Sequence, residues 1–129
     1  MFWNLFPWIS NKTAQAVYPN IYLPKFVYEN LQSKNPNISH VALLIHESEH
    51  IKRQKRMGIL KWGIQYFFIP RFRYEEEIAA DVPKLRYLKQ NGGDPNTEKR
   101  SKQLSGWLYL WPVVYSEAKS RLEHIWNNL

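Results

Sequence analysis

The stretch from Ser39 to Met57 constrains this chain most, because it reads as a single amphipathic helix and contains His46-Glu47-Ser48-Glu49-His50. Residues four apart on an α-helix differ by about 40° around the axis and lie one turn apart. His46 and His50 therefore offer their imidazoles from one face, at a spacing that grips a single zinc ion. Glu47, on the flank of that face, can reach a water beside the metal without being a ligand. Ser39 is the expected N-cap and Gly58 the expected C-terminal stop. Val41, Leu44, Ile45, Ser48 and Ile51 make a mostly apolar stripe, with His46, Glu47 and His50 beside it. Lys52, Arg53, Lys55 and Arg56 end the helix, where they oppose the negative end of its dipole.

The chain has no cysteine, which excludes disulfides and thiolate-bound zinc. Any metal site must be built from histidine and carboxylate. Two histidines need a third protein ligand if one position is to stay open for water. His40, His124 and the acidic residues after the helix are candidates. The best is Glu77 in Glu77-Ile78-Ala79-Ala80-Asp81, with Glu76 or His124 as alternatives. Glu77 and Asp81 share a helix face, so one can bind the metal while the other accepts a hydrogen bond from a ligating imidazole of His46. Ala79 and Ala80 would let the two helices lie close. Glu75 and Glu76 read as solvated charges at a helix start.

A chain of 129 residues, 44% hydrophobic and with six tryptophans, is expected to form one globular domain over 1–129. Its net charge of +7 invites an anionic partner. Much of that charge sits at one helix end and no nucleic-acid motif accompanies it, so no nucleic acid is expected. No apolar run approaches the length of a membrane span. Residues 1–10 form an apolar arm that lacks a basic start and is interrupted by Asn4 and Pro7, which makes a poor signal peptide. The expected location is therefore cytoplasmic. That arm either packs on the domain or touches a membrane surface peripherally through Trp3 and Trp8. Further along, Ile21-Tyr22-Leu23 reads as a strand and Tyr28 to Lys34 as a helical turn or two. Ile59 to Ile69 reads as a helix too apolar to be exposed, ended by Pro70. Arg73 to Asn91 reads as a helix that Pro83 should kink or break. Asn96 or Thr97 should cap a segment running into the apolar stretch 106–112. A last helix, Ser116 to Asn127, completes the C-terminal part, 106–129.

The pairing of His46-Glu47-x-x-His50 with Glu77-x-x-Ala80-Asp81 resembles the gluzincin metallopeptidases, and among them the very small minigluzincins. Ile21-Tyr22-Leu23-Pro24 also resembles the strand-and-loop entry of peptidase domains in antibiotic-sensor proteins of the same clan. The resemblance implies an α+β fold: a small, mostly helical single domain with a short β-sheet, an active-site helix and a glutamate helix. It also implies a cleft for an extended peptide, and a latent form in which the C-terminal segment covers that cleft. The expected activity is zinc-dependent hydrolysis of a peptide or protein substrate. Zn2+ is held by His46, His50 and Glu77, and Glu47 acts as general base and proton shuttle. Tyr115, Tyr66 and His124 are candidate donors to the oxyanion. The alternative is a zinc-stabilised binding or regulatory module with little or no turnover. The sequence carries no signal for oligomeric state.

Overall fold

Asn37, not Ser39, opens the motif helix. The computed structural model describes residues 14–106 and 113–129; the expectations for the arm at 1–10, with Trp3 and Trp8, and for residues 107–112 lie outside them. The Asn37 side chain accepts from the backbone N–H of Ser39 at 2.8 Å, satisfying one of the orphan donors of the first turn. From there α2 runs Ile38–Met57 and stops at Gly58, whose φ of 96° only glycine adopts without strain. Before it come strands β1 (Gln15–Val17) and β2 (Asn20–Tyr22), and helix α1 (Lys25–Leu31). After it come α3 (Ile59–Phe68), α4 (Pro70–Gln90), α5 (Thr97–Leu104) and α6 (Tyr115–Asn127). The fold is thus α+β and mostly helical, with a short antiparallel sheet in which Ala16 faces Ile21.

The buried side of α2 is not its apolar stripe. Ala42, His46, Glu47, His50 and Gln54 are buried, whereas Val41, Leu44, Ile45 and Ile51 are only half-buried. A polar face is turned inward at least cost where its groups find partners, and here the facing elements supply them for Gln54 and for the Nε2 atoms of His46 and His50. Gln54 is fully buried and clamps the hairpin onto α2. Its Oε1 accepts from Tyr18 N–H at 2.7 Å and its Nε2 donates to the Ala16 carbonyl at 2.9 Å.

Helix α4 lies along α2 and passes through Pro83 without ending, contrary to the expected break. Proline removes one backbone hydrogen bond and costs about 3 kcal/mol in a helix interior. Leu85 and Leu88 just beyond it are buried, and each contributes roughly 1.5–3 kcal/mol by burial, which offsets that cost. Pro70 starts α4 at its first turn, where a missing N–H is harmless. The apolar core joins Ala42 of α2, four residues of α4 (Tyr74, Ile78, Leu85, Leu88), Leu104 of α5, and Ala118 and Leu122 of α6. Helix α6 is therefore part of the core.

Helix α3 departs most from expectation. Only Trp62 is buried, while Leu60 is 76% and Phe68 75% exposed. The helix packs through one side alone, and its end is held by Arg73, whose Nη1 donates to the carbonyls of Tyr66 (2.6 Å) and Phe67 (3.2 Å). No helix among the described residues is long and apolar enough to cross a membrane.

Candidate metal centre

Three consecutive glutamates on α4 point in three directions, and each is taken by a different neighbour. Glu75 pairs with Arg121 of α6 at 2.6 Å. Glu76 is buried rather than solvated. It accepts from Arg53 of α2 (2.6 Å to Nη2) and from the indole N–H of Trp62 (2.6 Å). Glu77 faces the histidines of α2. Its Oε1 is 3.1 Å from His46 Nε2 and its Oε2 is 3.0 Å from His50 Nε2, while the two Nε2 atoms are 3.1 Å apart. His46, His50 and Glu77 are all buried and form the one group among the described residues able to hold a metal ion.

The donor set fits a divalent cation such as zinc. Donors at zinc–ligand distance in a tetrahedral site stand roughly 3.3 Å apart, so these three need to open by only a few tenths of an ångström. His46 Nδ1 lies 2.8 Å from Asp81 Oδ1. That contact favours a proton on Nδ1, so Nε2, which faces the cluster, is the nitrogen that would lose its proton to a metal, an orientation typical of metal-ligating imidazoles. The small side chains of Ala42 and Ala80, both buried, let α2 and α4 approach closely enough for this convergence.

Arg100 was not foreseen from the sequence. It rises from α5, is buried, and donates from Nη2 to Glu77 Oε1 (2.9 Å) and from Nε to Asp81 Oδ2 (2.7 Å). Tyr66 of α3 donates its hydroxyl to the other glutamate oxygen, Oε2, at 2.8 Å. Both oxygens of Glu77 are thus oriented from outside the histidine pair. An arginine in a polar stretch such as Thr97–Leu104 leaves no periodic signal of burial. Tyr66, expected as an oxyanion donor, instead braces the glutamate.

The electrostatics follow from these contacts. Burial opposes ionisation of Glu77, but the neighbouring His50 and His46 outweigh it and hold its carboxyl well below the usual range. Asp81 is likewise driven below its usual range, because Arg100, Lys84 and His46 overcome burial. Burial lowers His46, yet its bonds to Asp81 and Glu77 win and raise it from 6.5 to about 9. Burial pushes Glu47 upward, opposed by His46 and His50.

Glu47 and His46 open onto a cavity of about 390 Å³, bordered also by Phe26, Leu43, Lys84 and Arg100. Of the other candidates, His40 also borders the cavity but stands outside the triad, with Nδ1 2.9 Å from Asn30 Oδ1. His124 is exposed on α6 with contacts to Asn128, and Tyr115 lies against Lys119, so neither is brought to the cluster. Compared with protein-family models, with curated proteins and with solved structures, the chain matches none of them.

Proposed function

We propose that the chain is a zinc-dependent peptidase, with His46, His50 and Glu77 as ligands and Glu47 as the catalytic base. The observation that carries this reading is the position of Glu47. It is buried next to His46 on the cavity wall, while the metal-binding triad is complete without it. A carboxylate that only held metal would belong to the triad, and one that served only solubility would be on the surface. When bound, zinc supplies Lewis acidity, lowering the pKa of water toward about 7 and stabilising charge on the carbonyl oxygen.

The chain's own residues supply the rest. Glu47 takes a proton from the attacking water and returns it to the leaving amine; its upward-shifted pKa brings it closer to that two-way task. Asp81 and Arg100 hold His46 and Glu77 in place, so the ligands need little rearrangement. The cavity, whose lining includes Phe26, Leu43 and Lys84, receives part of a peptide or protein substrate. The cytoplasm remains the proposed compartment, as the sequence expectation had it.

One observation favours a second reading, a zinc-stabilised regulatory module with little turnover. Arg100 and Tyr66 engage both oxygens of Glu77, so a metal has to share that carboxylate with two donors. Cleavage of a peptide library by zinc-loaded wild type and Glu47→Gln separates the two. The peptidase reading expects turnover in the wild type and a loss of roughly 10²–10⁴-fold or more in the variant, with zinc content unchanged. Wild type that holds zinc and cleaves nothing would favour the regulatory module.

A further inference from the structure

We propose that the outer face of α3, with the basic end of α2 beside it, docks on the surface of an anionic lipid bilayer. The inference is independent of the proposed chemistry, because it concerns the opposite side of α3 from the one that reaches the metal centre. Leu60, Ile64, Phe67 and Phe68 fall within about 100° of arc on a helix, and Trp62 and Tyr66 lie on the other side. The outward residues are all exposed, at 76%, 52%, 38% and 75%. Ile59 (39%) and Ile69 (47%) extend the patch at its two ends. Monomeric proteins rarely leave a helix face of this kind in water without an interaction to cover it.

Charge identifies the occupant. From His50 to Tyr74 the chain has no aspartate or glutamate. Within that acid-free stretch Arg53 and Arg73 are used internally, on Glu76 and on the α3 carbonyls. Lys52, Lys55, Arg56 and Lys61 are exposed, and no ion pair is made by any of them among the described residues. Elsewhere, Lys25 pairs with Glu29, Arg71 with Glu75 and Glu117, Arg121 with Glu75, and Lys102 with Glu98, whereas the stretch from His50 to Tyr74 has no acidic residue of its own to offer its cations. An apolar helix face of Leu, Ile and Phe, on a helix that carries Lys61 and is joined through Gly58 to a helix end bearing Lys52, Lys55 and Arg56, has the composition of a segment that lies in the plane of an interface. Polybasic rims add about 1 kcal/mol of attraction to anionic lipid per residue near the surface. Self-association across a two-fold axis would instead bring the same four cations together from both copies. Docked in this way, the helix whose inner side donates Tyr66 to Glu77 would hold the metal centre about one helix diameter from the lipid.

The test is co-sedimentation of the full chain with vesicles of pure phosphatidylcholine, or with one-third phosphatidylglycerol. Binding to the anionic vesicles that weakens with salt, and little to the neutral ones, is expected. Lys55→Gln/Arg56→Gln should weaken binding about 30-fold, the equivalent of ~1 kcal/mol for each lost cation. Leu60→Ser/Phe68→Ser should abolish it while leaving the circular dichroism spectrum and sedimentation coefficient unchanged. Absence of binding to anionic vesicles overturns the proposal. So does equal binding by both variants and wild type, which would place the contact elsewhere on the chain. A wild-type dimer that Leu60→Ser/Phe68→Ser converts to monomer would overturn it in favour of self-association.

Discussion

Helices α2 and α3 are joined at Gly58 and face opposite ways. The first buries its polar side and the second exposes its apolar side. On α2, His46, Glu47, His50 and Gln54 are all under 9% exposed, while Leu60 and Phe68 on α3 exceed 70%. Both invert the rule that polar groups face water, and they do so for different reasons. The α2 face is buried against partners on its neighbours: Glu77 and Asp81 of α4, themselves held by Arg100 of α5, for the histidines, and the hairpin backbone for Gln54. Among the described residues, no element offers the outer α3 face such a neighbour. Local rules that fail together in this way usually mark places where function rather than stability chose the residue.

The contrast makes quantitative predictions. Arg100→Ala removes one counter-charge from the buried Glu77 and Asp81 and leaves them to His46, His50 and Lys84, so it should lower unfolding free energy by up to about 3–5 kcal/mol in metal-free protein. Denaturant titration with a chelator present is the check, and a loss below 1 kcal/mol would mean that solvent already screens the cluster.

Next is the pH dependence of the metal-free chain. His46 is raised from 6.5 to about 9 in the folded state, so its stabilisation is complete below pH 6.5 and fades as pH rises through 9. That shift corresponds to about 3 kcal/mol. Glu77 and Asp81, held below their usual range, contribute stability present above pH ~4 and lost as pH falls further. These are two views of one set of contacts, so the losses bracket an optimum near pH 5–6 and do not add. Zinc works in the other direction. A proton on His46 competes with it, so affinity should keep rising up to pH ~9 instead of levelling off at ~6.5. Thermal melts with and without zinc across that range should converge at low pH and separate at high pH.

Gln54→Ala should cost about 1–3 kcal/mol, because it strands the Ala16 carbonyl and the Tyr18 N–H. At the small end, Leu60→Ser on α3 should change stability by no more than about 0.5 kcal/mol, since little is buried there. A large loss at Leu60 would break the comparison by showing that α3's outer face is covered within the chain itself.

How much of this could be read from the sequence depends on whether the information was local. The spacing of His46 and His50, and of Glu77 and Asp81, is a matter of helix geometry, and four-residue intervals are visible in any chain. The helical content and the stop at Gly58 followed from the same kind of reasoning. The N-cap was misplaced by two residues because Asn37 and Ser39 are both good caps and only tertiary position separates them. Arg100, Gln54 and the Arg53–Glu76–Trp62 group were invisible, since an ion pair between distant helices leaves no period in either. Pro83 was given too much weight because the packing of Leu85 and Leu88 on its far side cannot be weighed from sequence. The exposure of α3 was missed for a related reason: apolar content shows that a segment wants cover, not whether this chain provides it.

Zinc per chain, measured by elemental analysis, tests most directly whether His46, His50 and Glu77 hold a metal. After loading at pH 8 and desalting, the wild type should retain about one zinc per chain, the occupancy expected of a site with three protein ligands. Glu76→Gln, which alters only the neighbouring Arg53 and Trp62 contacts, should retain as much. His46→Ala, His50→Ala and Glu77→Ala should each retain little or none. Full occupancy in Glu77→Ala, or an empty wild type, would contradict the assignment.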